Sequence, residues 1–463
     1  MAAATPRGPW QPILPDAGAV AEALDELAAA LAPPAAAAEA GGSGKVATSA
    51  AAAPGAGAEE GAAGAAAAVR HAALADGPAG SALFFHYLDQ ARPGQGHDER
   101  AVAHLETAIQ ATGVAVTSPG LYGGFTGVAW ALEHLTGRLL EPPAPGDDDP
   151  GAEVATALAG YLGHSPWQND YDLISGLTGI GVWAVERAPR AHAAAAAADV
   201  VSRLGELAER RDGGVSWLTP PERMLDSERA DYPQGNYNLG VAHGVPGVIG
   251  ALGEILAAGL AADAARELLA GAVEWLLRQT LPAGAASRFG YAVAAGNHES
   301  RPSRLAWCYG DPGIALALLG AARAAGEPEW ERQALATART AASRPRDQAG
   351  IVDGGLCHGA AGLLHLYNRL YQATGDPLWK AEALAWTELL LAQRQPGEGI
   401  AGWRSWRPIG DFTVPEPELG WTTDPGFLTG AAGIGLALLG AVSPVEPAWD
   451  RVLLCSVPPR AAA

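Results

Sequence analysis

The stretch GLCHGAAGLLHLYNRL at residues 355–370 places a Gly-x-x-Gly step directly before an apolar run of helical length. It also puts a thiol and an imidazole, Cys357 and His358, immediately before that step. Glycine at the head of a helix permits close approach of a neighbouring chain and turns with positive φ, because it has no side chain. The stretch therefore predicts a helix that begins at a crowded place.

The same unit recurs along the chain. Its first glycines are separated by 47 to 71 residues, and each step leads into a run that is apolar on nearly all sides. A minimum spacing with variable excess is typical of a structural repeat with loop insertions. The seven steps are Gly77–Gly80, Gly124–Gly127, Gly176–Gly179, Gly244–Gly247, Gly310–Gly313, Gly359–Gly362 and Gly430–Gly433.

Half-polar helical stretches lie between these steps and before the first one. A helix that is apolar all round is buried, and an amphipathic helix covers it. Since no segment alternates with period two, the pattern predicts an all-α fold, a ring of seven inner helices sealed by seven outer ones, as one domain over 1–463. The predicted outer helices are 16–31, 101–112, 152–162, 191–210, 261–279, 328–343 and 377–393.

Composition limits the function classes. The formal net charge of −20 argues against nucleic acid or an anionic membrane as the main partner. Three cysteines are too few for a disulfide framework, and no secretory signal or membrane span is found, so we expect a cytoplasmic protein that is not a membrane protein. Residues 32–64 are rich in Ala, Gly, Pro and Ser, which predicts a disordered insert.

In such a ring all inner helices start at one end, so the residues just before each step meet there. Cys308 precedes the fifth step, and Cys357 with His358 precedes the sixth. Two thiolates and one imidazole leave tetrahedral Zn²⁺ one open position, which is the catalytic arrangement. The alternatives are inert buried thiols and a histidine that only caps a helix.

Further reactive side chains precede neighbouring steps. Asp172 stands before the third step, His243 before the fourth, and Arg304 four residues before Cys308. An acid–base role competes here with simpler ones: a helix cap for Asp172, a satisfied histidine on the axis for His243, and a surface loop position for Arg304.

Other candidates are weaker. We interpret Cys455 as structural, and His86 and His365 as core histidines. Three long insertions, about 211–239, 282–303 and 395–425, are predicted to shape a groove for an extended peptide. Ordinary loop packing is the alternative for each of their aromatic residues, which are Trp217, Tyr232, Tyr237, Trp403, Trp406 and Trp421.

The sequence resembles the LanC-type lanthipeptide cyclases over about residues 75–440. The resemblance rests on AHGVPG at 242–247, WCYGDPG at 307–313 and CHGAAG at 357–362, together with the Gly-x-x-Gly series. It implies a double-layered α/α-toroid. It also implies one Zn²⁺ per chain, held by Cys308, Cys357 and His358.

The resemblance further implies an activity, in which cysteine thiols of a dehydrated precursor peptide add to dehydroalanine or dehydrobutyrine and close thioether rings. His243 and Asp172 match the family's proposed acid–base residues, and Arg304 matches an active-site arginine. A separate dehydratase and a peptide transporter are the implied partners. The alternative is a LanC-like protein that binds zinc and a thiol such as glutathione without making rings. The ligand pattern expected of a third class, toroidal prenyltransferase subunits, is not found.

Overall fold

A computed structural model describes residues 8–14, 18–33, 73–114, 118–144, 146–211, 213–224, 226–296, 300–409 and 418–460. The predicted insert at 32–64 lies outside these residues from position 34 onward, as does Asp16, the first residue of the predicted outer helix 16–31. The prediction of one domain over 1–463 includes undescribed residues and stays a prediction.

Fifteen α-helices and six short strands occur in the described part of the chain. Their order is α1 (Gly18–Ala30), α2 (Pro78–Ala91), α3 (His97–Val114), α4 (Phe125–Leu135), α5 (Ala152–Leu162), α6 (Leu177–Arg187), α7 (Ala193–Leu207), β1 (Glu209–Arg211), β2 (Gly214–Ser216), α8 (Asp226–Asp231), β3 (Asn236–Asn238), α9 (Val245–Ala257), α10 (Ala262–Arg278), β4 (Ala292–Ala294), α11 (Asp311–Ala325), α12 (Pro328–Ala342), α13 (Ala360–Thr374), α14 (Pro377–Ala392), β5 (Ser405–Pro408), β6 (Leu419–Thr422) and α15 (Ala431–Val442).

The helices form two layers. The inner helices α2, α4, α6, α9, α11, α13 and α15 each contact the next one, and α15 contacts α2, so the ring closes. The outer helices α3, α5, α7, α10, α12, α14 and α1 each pack on an inner helix. The strands form three antiparallel ribbons, β1–β2, β3–β4 and β5–β6. The predicted all-α toroid with seven inner and seven outer helices is confirmed.

Backbone hydrogen bonds link the loops that precede the inner helices into a second closed ring. In each of the seven loops, an N–H donates to a carbonyl of the next loop, and the seventh loop donates to the first. These bonds are Ala75 to Tyr122, Tyr122 to Ile174, Leu173 to Ala242, Ala242 to Cys308, Cys308 to Cys357, Cys357 to Leu428 and Leu428 to Ala75. Leu173 lies three positions before a Gly-x-x-Gly step, and each of the other residues lies two positions before one.

The glycines of the steps make this crowding possible. A Cβ at Gly362 would lie 2.1 Å from the Leu356 carbonyl oxygen, and one at Gly127 would lie 1.9 Å from that of Leu121. The prediction of close approach is therefore confirmed. The prediction of positive φ is wrong, because none of the steps' glycines has a left-handed φ and the first glycines are extended. Their role is to leave room.

The C-terminal segment fills the inside of the ring beneath the loops. A 3₁₀-helix at Ala448–Leu453 carries Asp450, which is fully buried and bonded to the buried guanidinium of Arg369 at 2.8 and 3.0 Å. The Trp307 indole N–H donates to the Leu453 carbonyl at 2.8 Å. Since Trp307 precedes Cys308, the segment supports the loop ring from below.

Candidate metal centre and acid pair

The three predicted metal ligands lie together. One donor atom from each of Cys308, Cys357 and His358 lies within 4.8 Å of the other two. Cys308 is buried, and the other two are half-buried. The loop ring explains this proximity, because the Cys308 N–H donates to the Cys357 carbonyl at 3.2 Å. Among the residues that the structure describes, no other trio of His, Cys, Asp or Glu comes this close.

The donor chemistry fits a zinc ion. The hydrogen bond from Cys357 holds the pKa of the Cys308 thiol well below its usual range against the effect of burial, and His358 lowers it further. The pKa of Cys357 is raised, because Cys308 takes up the negative charge and burial acts in the same direction. Nδ1 of His358 is buried without a hydrogen-bond partner among the described residues. A Cys₂His set with an unused imidazole nitrogen is the set that Zn²⁺ prefers.

His243 and Asp172 form a second element of the site. The His243 Nδ1–H donates to the Asp172 carboxylate, whose other oxygen accepts from the Ser175 backbone N–H at 2.8 Å. Desolvation lowers the pKa of His243, but the hydrogen bond and charge of Asp172 outweigh it, so the net pKa is raised. The His243 side chain is 43% exposed, whereas that of Asp172 is 10% exposed. Asp172 therefore orients a histidine that still reaches solvent.

Tyr309 connects the two elements. Its ring stacks against the His243 ring at 6.2 Å between centroids, and its hydroxyl accepts from the Asn238 side chain at 3.0 Å. Burial raises the pKa of Tyr309, which keeps the phenol neutral. The sequence pattern assigned Tyr309 no role. Its place directly before a step, which His243 and His358 share, is the signal that could have found it.

Arg304 lies beside the candidate metal ligands. Its guanidinium Nη2 is 3.9 Å from the Cys308 Sγ, and its backbone N–H donates to the Tyr291 hydroxyl at 3.2 Å. Its Nε is buried without a partner among the described residues. The arginine is half-buried, so it is not an ordinary surface loop residue.

A cavity of about 680 Å³ opens beside the acid pair. His243, Asp172 and Tyr309 form one wall, and the predicted insertion at 211–239 forms much of the rest. The three candidate metal ligands do not line it. Its residues are Asn169, Asp170, Tyr171, Asp172, Ser175, Leu207, Glu209, Trp217, Leu218, Thr219, Pro220, Arg223, Glu228, Asn238, His243 and Tyr309.

The aromatic residues of the insertions divide into two groups. Tyr237 and Trp403 are buried, so they stabilise the loops. Trp406 is half-buried, and Trp421 is 44% exposed. These two face each other across the β5–β6 ribbon with ring centroids 5.3 Å apart. Of the other two, Trp217 is buried and Tyr232 is half-buried, and the groove stays a prediction.

The residues interpreted as structural lie in the core. The Cys455 thiol is buried and donates to the Leu453 carbonyl at 3.3 Å. His365 is buried and bonded to Asp450 at 2.8 Å. Burial lowers the pKa of His86 to about 4. Within the described ranges, none of the helices combines the length and apolarity that crossing a lipid bilayer requires.

Comparison with known proteins agrees with this geometry. The solved structure of nisin cyclase superimposes with a TM-score of 0.64 and 20% identity, covering 83% of this chain and 92% of that one, which shows the toroid fold. The nisin biosynthesis protein NisC of Lactococcus lactis subsp. lactis is 24% identical over 271 residues, which are 53% of this chain and 60% of NisC. The family model described as lanthionine synthetase C-like protein matches residues 68–454. The chain belongs to the lanthionine synthetase C-like family.

Proposed function

We propose that this protein is a zinc-dependent lanthipeptide cyclase. It adds cysteine thiols of a dehydrated precursor peptide to dehydroalanine or dehydrobutyrine in the same peptide, which closes lanthionine and methyllanthionine rings. The observation that carries the proposal is that one ring of loops presents a Cys₂His donor set and, in the loop next to that of Cys308, a histidine bonded to a carboxylate. Family membership and the likeness to a nisin biosynthesis protein support it.

In this proposal Cys308, Cys357 and His358 hold one Zn²⁺ per chain. Zinc, when bound, would leave one coordination position for a substrate thiol and lower the pKa of that thiol, which favours its nucleophilic form. The chain favours the thiolate form of Cys308, whose pKa is held well below its usual range mainly by the hydrogen bond from Cys357. The Arg304 guanidinium beside Cys308 lowers the pKa of that thiol, although Cys357 has the larger effect.

His243 is the proposed general acid. The thiolate sulfur forms a bond to the β-carbon of the dehydro residue, the electron pair of the alkene moves towards the carbonyl, and the resulting enolate needs a proton at Cα. Asp172 favours the cationic, proton-bearing form of His243 by accepting its Nδ1–H. Partial exposure of the imidazole lets it regain the proton from solvent, because its side chain is 43% exposed.

Arg304 is proposed to stabilise the enolate oxygen. An enolate carries negative charge that a fixed guanidinium can offset without reorganisation. The guanidinium lies beside the candidate metal ligands, with its Nη2 3.9 Å from the Cys308 Sγ, which supports this role.

The peptide is proposed to run along the mouth, from the cavity beside His243 to the β5–β6 ribbon. Because Trp406 pairs with Trp421 and Pro408 with Leu419, these four side chains share one face of the ribbon, on which Leu419 is 51% exposed. The Trp406 backbone N–H donates to the Asp353 carboxylate at 2.9 Å, so this bond connects the ribbon to the loop that leads to Cys357.

The remaining expectations belong to the same proposal. A cytoplasmic location follows from the scarcity of cysteine. A separate dehydratase and a peptide transporter follow from the resemblance alone.

Mass spectrometry of thiol alkylation on a dehydrated precursor, with and without the protein, tests the proposal. Rings are present where alkylation is lost at unchanged mass. Metal analysis should give about one zinc per chain, and Cys357→Ala should lose both zinc and cyclisation. The control Cys455→Ala removes a thiol outside the donor set and should keep both.

Two outcomes would contradict the proposal. Equal cyclisation by Cys357→Ala would remove the metal from the mechanism. Binding of zinc and glutathione with no cyclisation of dehydrated peptides would assign the protein to the binding class instead.

A further inference from the structure

The cavity beside His243 has a charged wall in which nearly every ion is paired. Asp170 pairs with Arg223 at 3.2 Å, and Asp172 pairs with His243. Glu209 accepts a hydrogen bond from the Tyr237 hydroxyl at 2.7 Å. These groups use their charge or hydrogen-bonding capacity within the protein.

Glu228 is the exception. It lies on α8 and lines the cavity, and its side chain makes no ion pair or hydrogen bond with any other described residue. The Glu228 side chain is exposed, and His243 lines the same cavity. A carboxylate that lines a cavity without a counter-ion favours a cation from outside.

The other walls are suited to an aliphatic stem. Leu207 and Leu218 line the cavity and are half-buried, so they offer apolar surface to a ligand, and the buried rings of Tyr171 and Trp217 lie at the same cavity. Long basic side chains pack their methylene groups on apolar surface and keep the charged head near polar groups. An apolar wall and one unpaired carboxylate, that of Glu228, therefore line the same cavity.

We propose that Glu228 is a specificity-determining residue that accepts a lysine or arginine side chain of the peptide. This basic residue lies close in the peptide to the residues that form the thioether ring. The inference rests on the proposed cyclase function and adds a substrate preference to it. The net charge of −20 works in the same direction, since it repels acidic peptides at long range. An acidic neighbour in the peptide is disfavoured by repulsion, which is a stronger discrimination than the loss of one attraction.

Synthetic peptides with one dehydroalanine and one cysteine provide the probe. Three versions carry lysine, norleucine or glutamate beside the cysteine, and cyclisation above the uncatalysed background gives kcat/KM for each. Binding is measured separately by fluorescence anisotropy on labelled versions in which alanine replaces dehydroalanine. A partly exposed ion pair should give about a threefold to fivefold preference for lysine over norleucine, because such pairs contribute up to about 1 kcal/mol.

Variants locate the effect. Glu228→Gln should remove the preference for lysine over norleucine, Glu228→Lys should reverse it towards glutamate, and added salt should weaken it in the wild type. Asp226→Asn is the matched control, since Asp226 lies on the same helix but pairs with Arg229 at 2.7 Å and does not line the cavity.

Equal affinity and equal kcat/KM for the three peptides in the wild type would overturn the inference, as would a lysine preference that persists in Glu228→Gln. Failure of the proposed function looks different. No peptide would then be cyclised, while the binding preference for lysine would still be measurable.

Discussion

Replacing Gly362 by alanine tests the physical reason for the repeated glycines. An alanine Cβ there would lie 2.1 Å from the Leu356 carbonyl oxygen and 3.0 Å from its carbonyl carbon. The obstacle is backbone, so no side-chain rotation can relieve it. Alanine would gain about 1 kcal/mol of helix propensity, but overpacking of this kind costs about 3 kcal/mol or more. We expect a net loss of about 2 kcal/mol or more in the free energy of unfolding.

The effect should reach the candidate metal centre, because the displaced carbonyl belongs to Leu356, the residue directly before Cys357. Urea unfolding followed by circular dichroism gives the stability, and metal analysis after dialysis gives the zinc content. Gly160→Ala is the control: Gly160 lies in the outer helix α5, and a Cβ there meets nothing within 4 Å. That variant should be about 1 kcal/mol more stable than wild type. If Gly362→Ala is also as stable as wild type or more so, close approach is not the reason for the glycines.

Three further predictions follow from the site and its support. Asp172→Asn removes the interactions that raise the pKa of His243. Because the protonated form of His243 is the proposed acid, kcat should begin to fall at a lower pH than in the wild type. An unchanged pH profile of kcat would exclude a role for this pairing. Asp450→Asn removes one of the two carboxylates that bond to the buried guanidinium of Arg369, the other being that of Glu446, and should cost about 1.5–3 kcal/mol in the free energy of unfolding, measured by denaturant titration; an unchanged free energy of unfolding would contradict the pairing. Trp307→Phe removes the indole donor of the Leu453 carbonyl, which keeps only the weaker thiol donor of Cys455, and should cost about 1 kcal/mol in the same titration; wild-type stability would show that the C-terminal segment does not depend on this bond.

Much of the fold was readable from the pattern of residues. Apolar runs after each Gly-x-x-Gly step predicted the inner helices, and the half-polar stretches between them predicted the outer ones. Several boundaries agree to the residue, such as α5 at Ala152–Leu162. The hydrophobic periodicity of a helix is a local property of the chain, so it can be read from the sequence alone. The backbone conformation of the glycines could not be read from the sequence, because a crowded position and a positive φ both favour glycine.

The candidate site divides in a similar way. The sequence identified Cys308, Cys357 and His358 as a set because the repeat makes their positions equivalent, whatever their separation. It did not reveal that Glu228 lines the cavity. That residue comes from an insertion outside the repeat, whose path depends on long-range packing.

Local patterns of residues account for the number of repeats, the two kinds of helix and the end of the ring at which the reactive residues meet. Which of these residues touch depends on the folded chain. The closed ring of backbone hydrogen bonds joins the loop of Cys308 to that of Cys357. The tertiary structure also brings Asp172 into a hydrogen bond with His243 and places the C-terminal segment inside the ring. Contacts between residues far apart in the chain depend on how the whole ring packs, and the local pattern of residues does not record which side chains then meet.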